Sequence, residues 1–223
     1  MGMKERGGKL TRGIGINDMD YDVFKRLPDG KVWHCPIYRY WANMLTRVQH
    51  KERKYSYDYD VNFGSSYNDV SVDPSWLIFS NFHKWVSSQD YEGKSLDKDI
   101  LGDGTLYSEG TCCFVPNSIN TLIHGKKTRR KGVSHDYMAG TSYVGTSWYW
   151  TINWSGSKYA HGKANSEIEA HQCWQFHKSK LIRKVSDESF NRGEISELVR
   201  DALHKKADKI DQERQEGKQT IRI

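Results

Sequence analysis

Residues 95–122, SLDKDILGDGTLYSEGTCCFVPNSINTL, decide how this chain is read. Leu96-Asp97-Lys98-Asp99 ends a strand, and Gly102-Asp103-Gly104 makes the turn that follows. Cys113-Phe114-Val115 is the return strand, and Pro116 opens a short helix carrying Asn117 and Asn120. Strand, turn, strand and helix this close in sequence can set an aspartate at a strand end against an asparagine on the helix. Two such oxygen donors suit one divalent ion held against a phosphate. The plain alternative is that Asp97 is a turn residue and Asn120 a helix-cap residue, since both types satisfy backbone amides at such places.

Working outward, the 223 residues suffice for one large domain or two small ones. Hydrophobic content is only 36%, but aromatic content is 13% with eight Trp, which marks a folded chain with small aromatic cores rather than a disordered one. No apolar run approaches the length of a membrane span. The first fifteen residues, MGMKERGGKLTRGIG, are basic and glycine-rich without a signal-peptide core, so a cytosolic protein is expected. The four Cys do not have the spacing of a disulfide framework.

The net charge of +6 is unevenly spread. Between Lys126 and Lys184 eleven Lys or Arg face three acids, a balance of +8, leaving −2 for the rest. Clustered cations predict a face for a polyanion, because neutralising a charged backbone releases its counterions. A solubilising surface is the other reading of such a run.

The spacing of Tyr38, Trp41, Met44, Leu45 and Val48 predicts a helix over 37–49. Asp73-Pro74 opens a second helix to about Ser88, with Trp76, Phe79, Phe82 and Trp85 as its buried stripe rather than a base-stacking surface. Residues 1–20 read as a flexible basic arm, and 51–68 as loop with at most a short strand. The run Trp148-Tyr149-Trp150-Thr151-Ile152-Asn153-Trp154 alternates as a strand does, and Ser155-Gly156 turns it into an antiparallel neighbour. Ser166 and Glu169 form a capping box for a helix to about Val185, whose apolar side is Ala170, Trp174, Leu181 and Val185. A last helix over 194–215 has Ile195, Leu198, Val199, Ala202, Leu203 and Ile210 on one face, suited to its own chain or to a partner, so the oligomeric state stays open. The expected class is α+β. The expected divisions are the arm 1–20, a first domain 21–125, a basic linker 126–131, a second domain 132–186, and a C-terminal helix and tail 187–223.

The pattern of Asp97, Tyr107-Ser108-Glu109, Cys113 to Pro116 and Asn120 resembles the HNH (ββα-metal) endonucleases carried by bacteriophages. The resemblance implies DNA phosphodiester hydrolysis with one Mg²⁺ (or Mn²⁺), ligated by Asp97 and Asn120. It also implies action in the cytosol of an infected bacterium. Lys98 stands where that family carries its water-activating histidine, and Thr111 where it carries a loop-supporting asparagine. A lysine between two carboxylates keeps its proton. Either another group is the base, with His124 one helical turn beyond Asn120 as the candidate, or Lys98 contacts the phosphate, or the scaffold binds DNA or a protein partner without cutting. Asp99 is a third ligand or a turn residue.

Gly132-Val133-Ser134, residues 148–152, Ser155-Gly156, Gly162 and residues 166–170 resemble the APETALA-type (ethylene-response-factor-like) DNA-binding domain. That resemblance implies a three-stranded sheet in the major groove of double-stranded DNA with a helix behind it. Its DNA face would carry Tyr149, Thr151, Asn153 and Lys158. The basic run Lys126, Lys127, Arg129, Arg130 and Lys131 would grip phosphates beside it. The stretch between Ser134 and Ser147 is longer than in that family and lacks its arginines. A zinc site of His171, Cys173 and His177 would need a fourth ligand that the spacing does not supply.

Overall fold

Aromatic side chains at helical spacing build the first of two units. The computed structural model describes residues 10–49, 70–123, 137–221 and 223. They divide into a unit of Met1–Glu92 with Leu96–Phe114, and a unit of Gly93–Ser95 with Val115–Ile223. The fold is mixed α+β, with five α-helices and four small sheets among the described residues.

In the first unit, α1 (Pro36–Val48) buries Ile37, Trp41, Met44 and Leu45, the stripe its spacing predicts. The expected second helix is broken in two: a 3-10 turn, Pro74–Leu77, capped by Asp73, and then α2 (Phe79–Ser87). Ile78 between them is extended, with φ −94° and ψ 120°. The cause lies far upstream. Ile16 N–H donates to the Leu77 carbonyl at 2.8 Å and the Phe79 N–H to the Ile16 carbonyl at 2.9 Å, so Ile78 is held as a bridge partner of Ile16. Asp18 then caps α2, accepting from Ser80 N at 2.9 Å and Ser80 Oγ at 2.6 Å. Residues 10–19, read from sequence as part of an arm, are thus tied to this unit. Trp76, Phe79, Phe82 and Trp85 are all buried, in one core with Trp41, Met44, Leu45 and Phe114. The Trp41 indole N–H donates to the Trp76 carbonyl at 2.6 Å.

Two strands that sequence patterning did not suggest, β1 (Phe24–Arg26) and β2 (Val32–His34), pair antiparallel. The short β3 (Ser71–Val72) runs parallel to β5 (Leu106–Tyr107). The anticipated β4 (Ser95–Asp97) and β6 (Cys113–Val115) form a two-stranded sheet.

The second unit contains α3 (Asn117–Ile123) and an antiparallel sheet of β7 (Thr141–Val144), β8 (Ser147–Trp154) and β9 (Ser157–Ala164), in that order. Ser155 and Gly156 both have positive φ, 52° and 77°, the two-residue turn whose twist suits a hairpin. The helix α4 (Glu167–Asn191) starts at the predicted box, with Glu169 N–H donating to Ser166 Oγ at 3.1 Å, and runs six residues past the expected end at Val185. One side of α4 covers the sheet, and α5 (Glu197–Gln215), capped by Ser196, covers another. The apolar face of α5 is therefore spent on its own chain: Val199, Leu203, Ala207 and Ile210 are buried, while Leu198 is exposed.

Gly140 lets α4 approach the sheet. Its φ is +75°, and a Cβ there would lie 1.9 Å from the Trp174 ring. Among the described residues no helix is long and apolar enough to cross a membrane.

Candidate functional site

Asp97, at the end of β4, is 2% exposed, and its Oδ1 accepts hydrogen bonds from Asp99 N at 2.7 Å and Ile100 N at 2.8 Å. Its carboxylate therefore holds the turn that leaves the strand, as the plain reading of a strand-end aspartate anticipates. Burial pushes the neighbouring Cys112 thiol up to about 12, and the negative charge of Asp97 adds to the effect. Cys113 is raised for the same two reasons.

Lys98 is 3% exposed and donates to both oxygens of Asp99 at 3.0 Å, with its ammonium 5.6 Å from the centre of the Tyr107 ring. The ammonium of Lys98 is thus directed at the Asp99 carboxylate. Asp99 is its counter-ion. Thr111 ties the loop between β5 and β6: its hydroxyl donates to the Leu106 carbonyl at 2.8 Å and accepts from Ser108 N at 3.1 Å.

Asn120 lies on α3, half-buried, and among the described residues its side-chain amide makes no hydrogen bond. Asp97 belongs to the first unit and Asn120 to the second. His124 and Lys126, Lys127, Arg129, Arg130 and Lys131 lie outside the described residues, as does the expected linker 126–131.

The sheet presents the better-defined surface. On β8, Trp150 and Ile152 point inward and are buried, so Tyr149, Thr151 and Asn153 take the opposite face. Each faces a β9 partner: Tyr149 pairs with Lys163, Thr151 with His161, and Asn153 with Lys158 across a bulge. Asn153, Lys158, His161 and Lys163 are exposed, and Tyr149 and Thr151 half-buried. From 137 to 166 the sequence contains no Asp or Glu. Among the described residues Lys158, His161 and Lys163 form no ion pair, whereas Arg183, Arg192 and Arg200 on the helical side all do. Sequence reading missed His161 and Lys163. The period-two run of Ala160, Gly162 and Ala164 marks the inner face of β9 and could have revealed them.

At the edge of β9 the side chains of Trp150, Lys158, Tyr159, Ala160, His161 and His177 line an open hollow of about 400 Å³. His177 stacks on Trp150 there, with ring centres 4.6 Å apart. Another zinc candidate, His171, is engaged at both ring nitrogens. Thr220 N–H donates to its Nε2 at 3.0 Å, which leaves Nδ1–H to donate to the Ala139 carbonyl at 2.9 Å. Burial holds its pKa below the usual value, so it is a neutral structural histidine with no lone pair for a metal. Compared with family models, curated proteins and solved structures, the chain matches none of them.

Proposed function

We propose that the protein binds duplex DNA on the outer face of β7, β8 and β9 and cuts it as an HNH-type endonuclease through residues 95–124. One observation carries the reading: Lys158 and Lys163 stand with His161 on one sheet face and, among the described residues, form no ion pair, in a stretch free of acids. Such a face gains from a phosphate backbone through counterion release, and a strand ribbon reaches base edges in the major groove. Tyr149, Thr151 and Asn153 are the readers in this account, and the run 126–131 adds phosphate contacts. The cytosol is the compartment in which it would act.

For cleavage, Asp97 and the Asn120 amide oxygen are hard donors of the kind Mg²⁺ or Mn²⁺ takes alongside water and phosphate. The donor set fits in kind: Asp97 is oriented by two backbone amides, and the Asn120 amide is not engaged by other described residues. Such an ion, when bound, stabilises charge developing on the phosphate. Within the chain, Lys98 and Asp99 brace the Asp97 turn, Thr111 fixes the neighbouring loop, and His124 is the candidate to hold the proton taken from water.

Asn120→Ala is the cleaner test, because no described hydrogen bond is lost with it, whereas Asp97→Ala also frees two amides. Both variants are expected to abolish Mg²⁺-dependent nicking of plasmid DNA with an unchanged circular-dichroism spectrum. Nicking by Asn120→Ala at the wild-type rate would reject the ligand assignment. A second reading, DNA binding without cleavage, is favoured by the Lys98–Asp99 pair in the position of the family's base. It predicts tight, salt-sensitive binding with no nicking in either Mg²⁺ or Mn²⁺.

A further inference from the structure

The β1–β2 hairpin buries almost nothing. All six strand residues are exposed, including Phe24 at 61%, Val32 at 45% and Trp33 at 40%. Its base is anchored where Cys35 N–H donates to the Val23 carbonyl at 2.8 Å between two buried residues. A two-stranded ribbon is marginal by itself, and large apolar side chains left in water mark contact surfaces.

The register sorts its side chains. Phe24 pairs with His34 and Arg26 with Val32 on one face, and Lys25 pairs with Trp33 on the other. Each face thus carries a cation beside an aromatic or branched side chain. Lys25 lies 5.8 Å over the Trp33 ring, and among the described residues neither Lys25 nor Arg26 has an ion pair. The strands contain no acid, and Asp29 at the tip is paired with Lys31 at 3.2 Å.

We propose that this hairpin is a second DNA contact, a ribbon that lies in a groove of the duplex with phosphates on both sides. The unpaired cations complement phosphate, and a ribbon two strands across fits the major groove, which is about 12 Å wide. A flat lipid surface would take one face and leave the other in water, and a charged Asp29 would lead at the tip. A groove borders both faces together. The inference rests on the reading that the ligand is duplex DNA, and it adds a contact in the first unit that the sheet does not supply.

The test is fluorescence anisotropy of a labelled duplex with the full chain, titrated at several salt concentrations. The proteins are wild type, Lys25→Ala/Arg26→Ala, Trp33→Ala and, as reference, Lys158→Ala/Lys163→Ala. Losing two phosphate contacts should lower the slope of log affinity against log salt by about 2 and weaken binding roughly tenfold or more. Trp33→Ala should weaken binding with the slope kept. If both hairpin variants bind as wild type does while the sheet variant is weakened, the hairpin contact is wrong and the DNA reading stands. If wild type binds no duplex, both fail. Hairpin-dependent sedimentation with phosphatidylserine vesicles, with duplex affinity unchanged, would assign the ribbon to a membrane and overturn the inference.

Discussion

Lys178 shows how much one buried charge can reveal about the second unit. Its ammonium, 4% exposed, donates to the Leu122 carbonyl at 2.6 Å near the end of α3, where the helix dipole favours a cation. Burial nonetheless pushes its pKa down to about 8 from 10.5. Between those values the native protein has shed a proton that the unfolded chain still holds. The unfolded state therefore binds more protons, and stability rises with pH across that window, by at most about 3 kcal/mol. Lys178→Met lacks that rise. Urea melts of both proteins at pH 7.5 and pH 10 should show wild type gaining on the variant at the higher pH, since all other groups titrate alike in the two. A constant difference would contradict the assignment. Asp97 belongs to the same scale: its sequence position does not show that Oδ1 holds a turn, which the amides of Asp99 and Ile100 reveal, and the proposed ion adds a second role to the same carboxylate.

Elements set the close approaches. Gly140→Ala would force a Cβ into the Trp174 ring at a backbone angle that side chains rarely adopt, so a loss of about 3 kcal/mol or more is expected, read from urea denaturation. Wild-type stability in that variant would mean that α4 does not pack on the sheet at this point. The main elements were legible in sequence where one face is buried. The three- and four-residue spacing of α1, the alternation of β8 and the Ser166 cap all correspond to observed structure. Three features were not legible, for physical reasons. Ile78 breaks the second helix because Ile16, distant in sequence, pairs with it. The β1–β2 strands are exposed on both faces, so they have no alternation to read. The last turns of α4 bury Ser186 and Ser189 against neighbours, and small polar residues at a close contact look like a loop.

At the scale of the whole molecule, the net charge of +6 matters less than its pairing. On α4 and α5 several cations are paired within the chain: Arg183 bridges Asp208 and Asp211, and Arg200 binds Asp201. Among the described residues Lys158 and Lys163 on the sheet and Lys25 and Arg26 on the β1–β2 hairpin form no ion pair, the property on which the proposed polyanion contacts rest. Of the outward residues on β8 and β9, Tyr149, Thr151, Asn153 and Lys158 were read from sequence and family resemblance, while His161 and Lys163 emerged from strand register. The central claim is that this face holds duplex DNA. The most direct measurement is the affinity of the full chain for a labelled duplex across a salt series, for wild type and Lys158→Ala/Lys163→Ala. The account predicts steep salt dependence in wild type and a slope smaller by about 2 in the variant, with melting temperature unchanged. Equal affinities and equal slopes in the two proteins would contradict it.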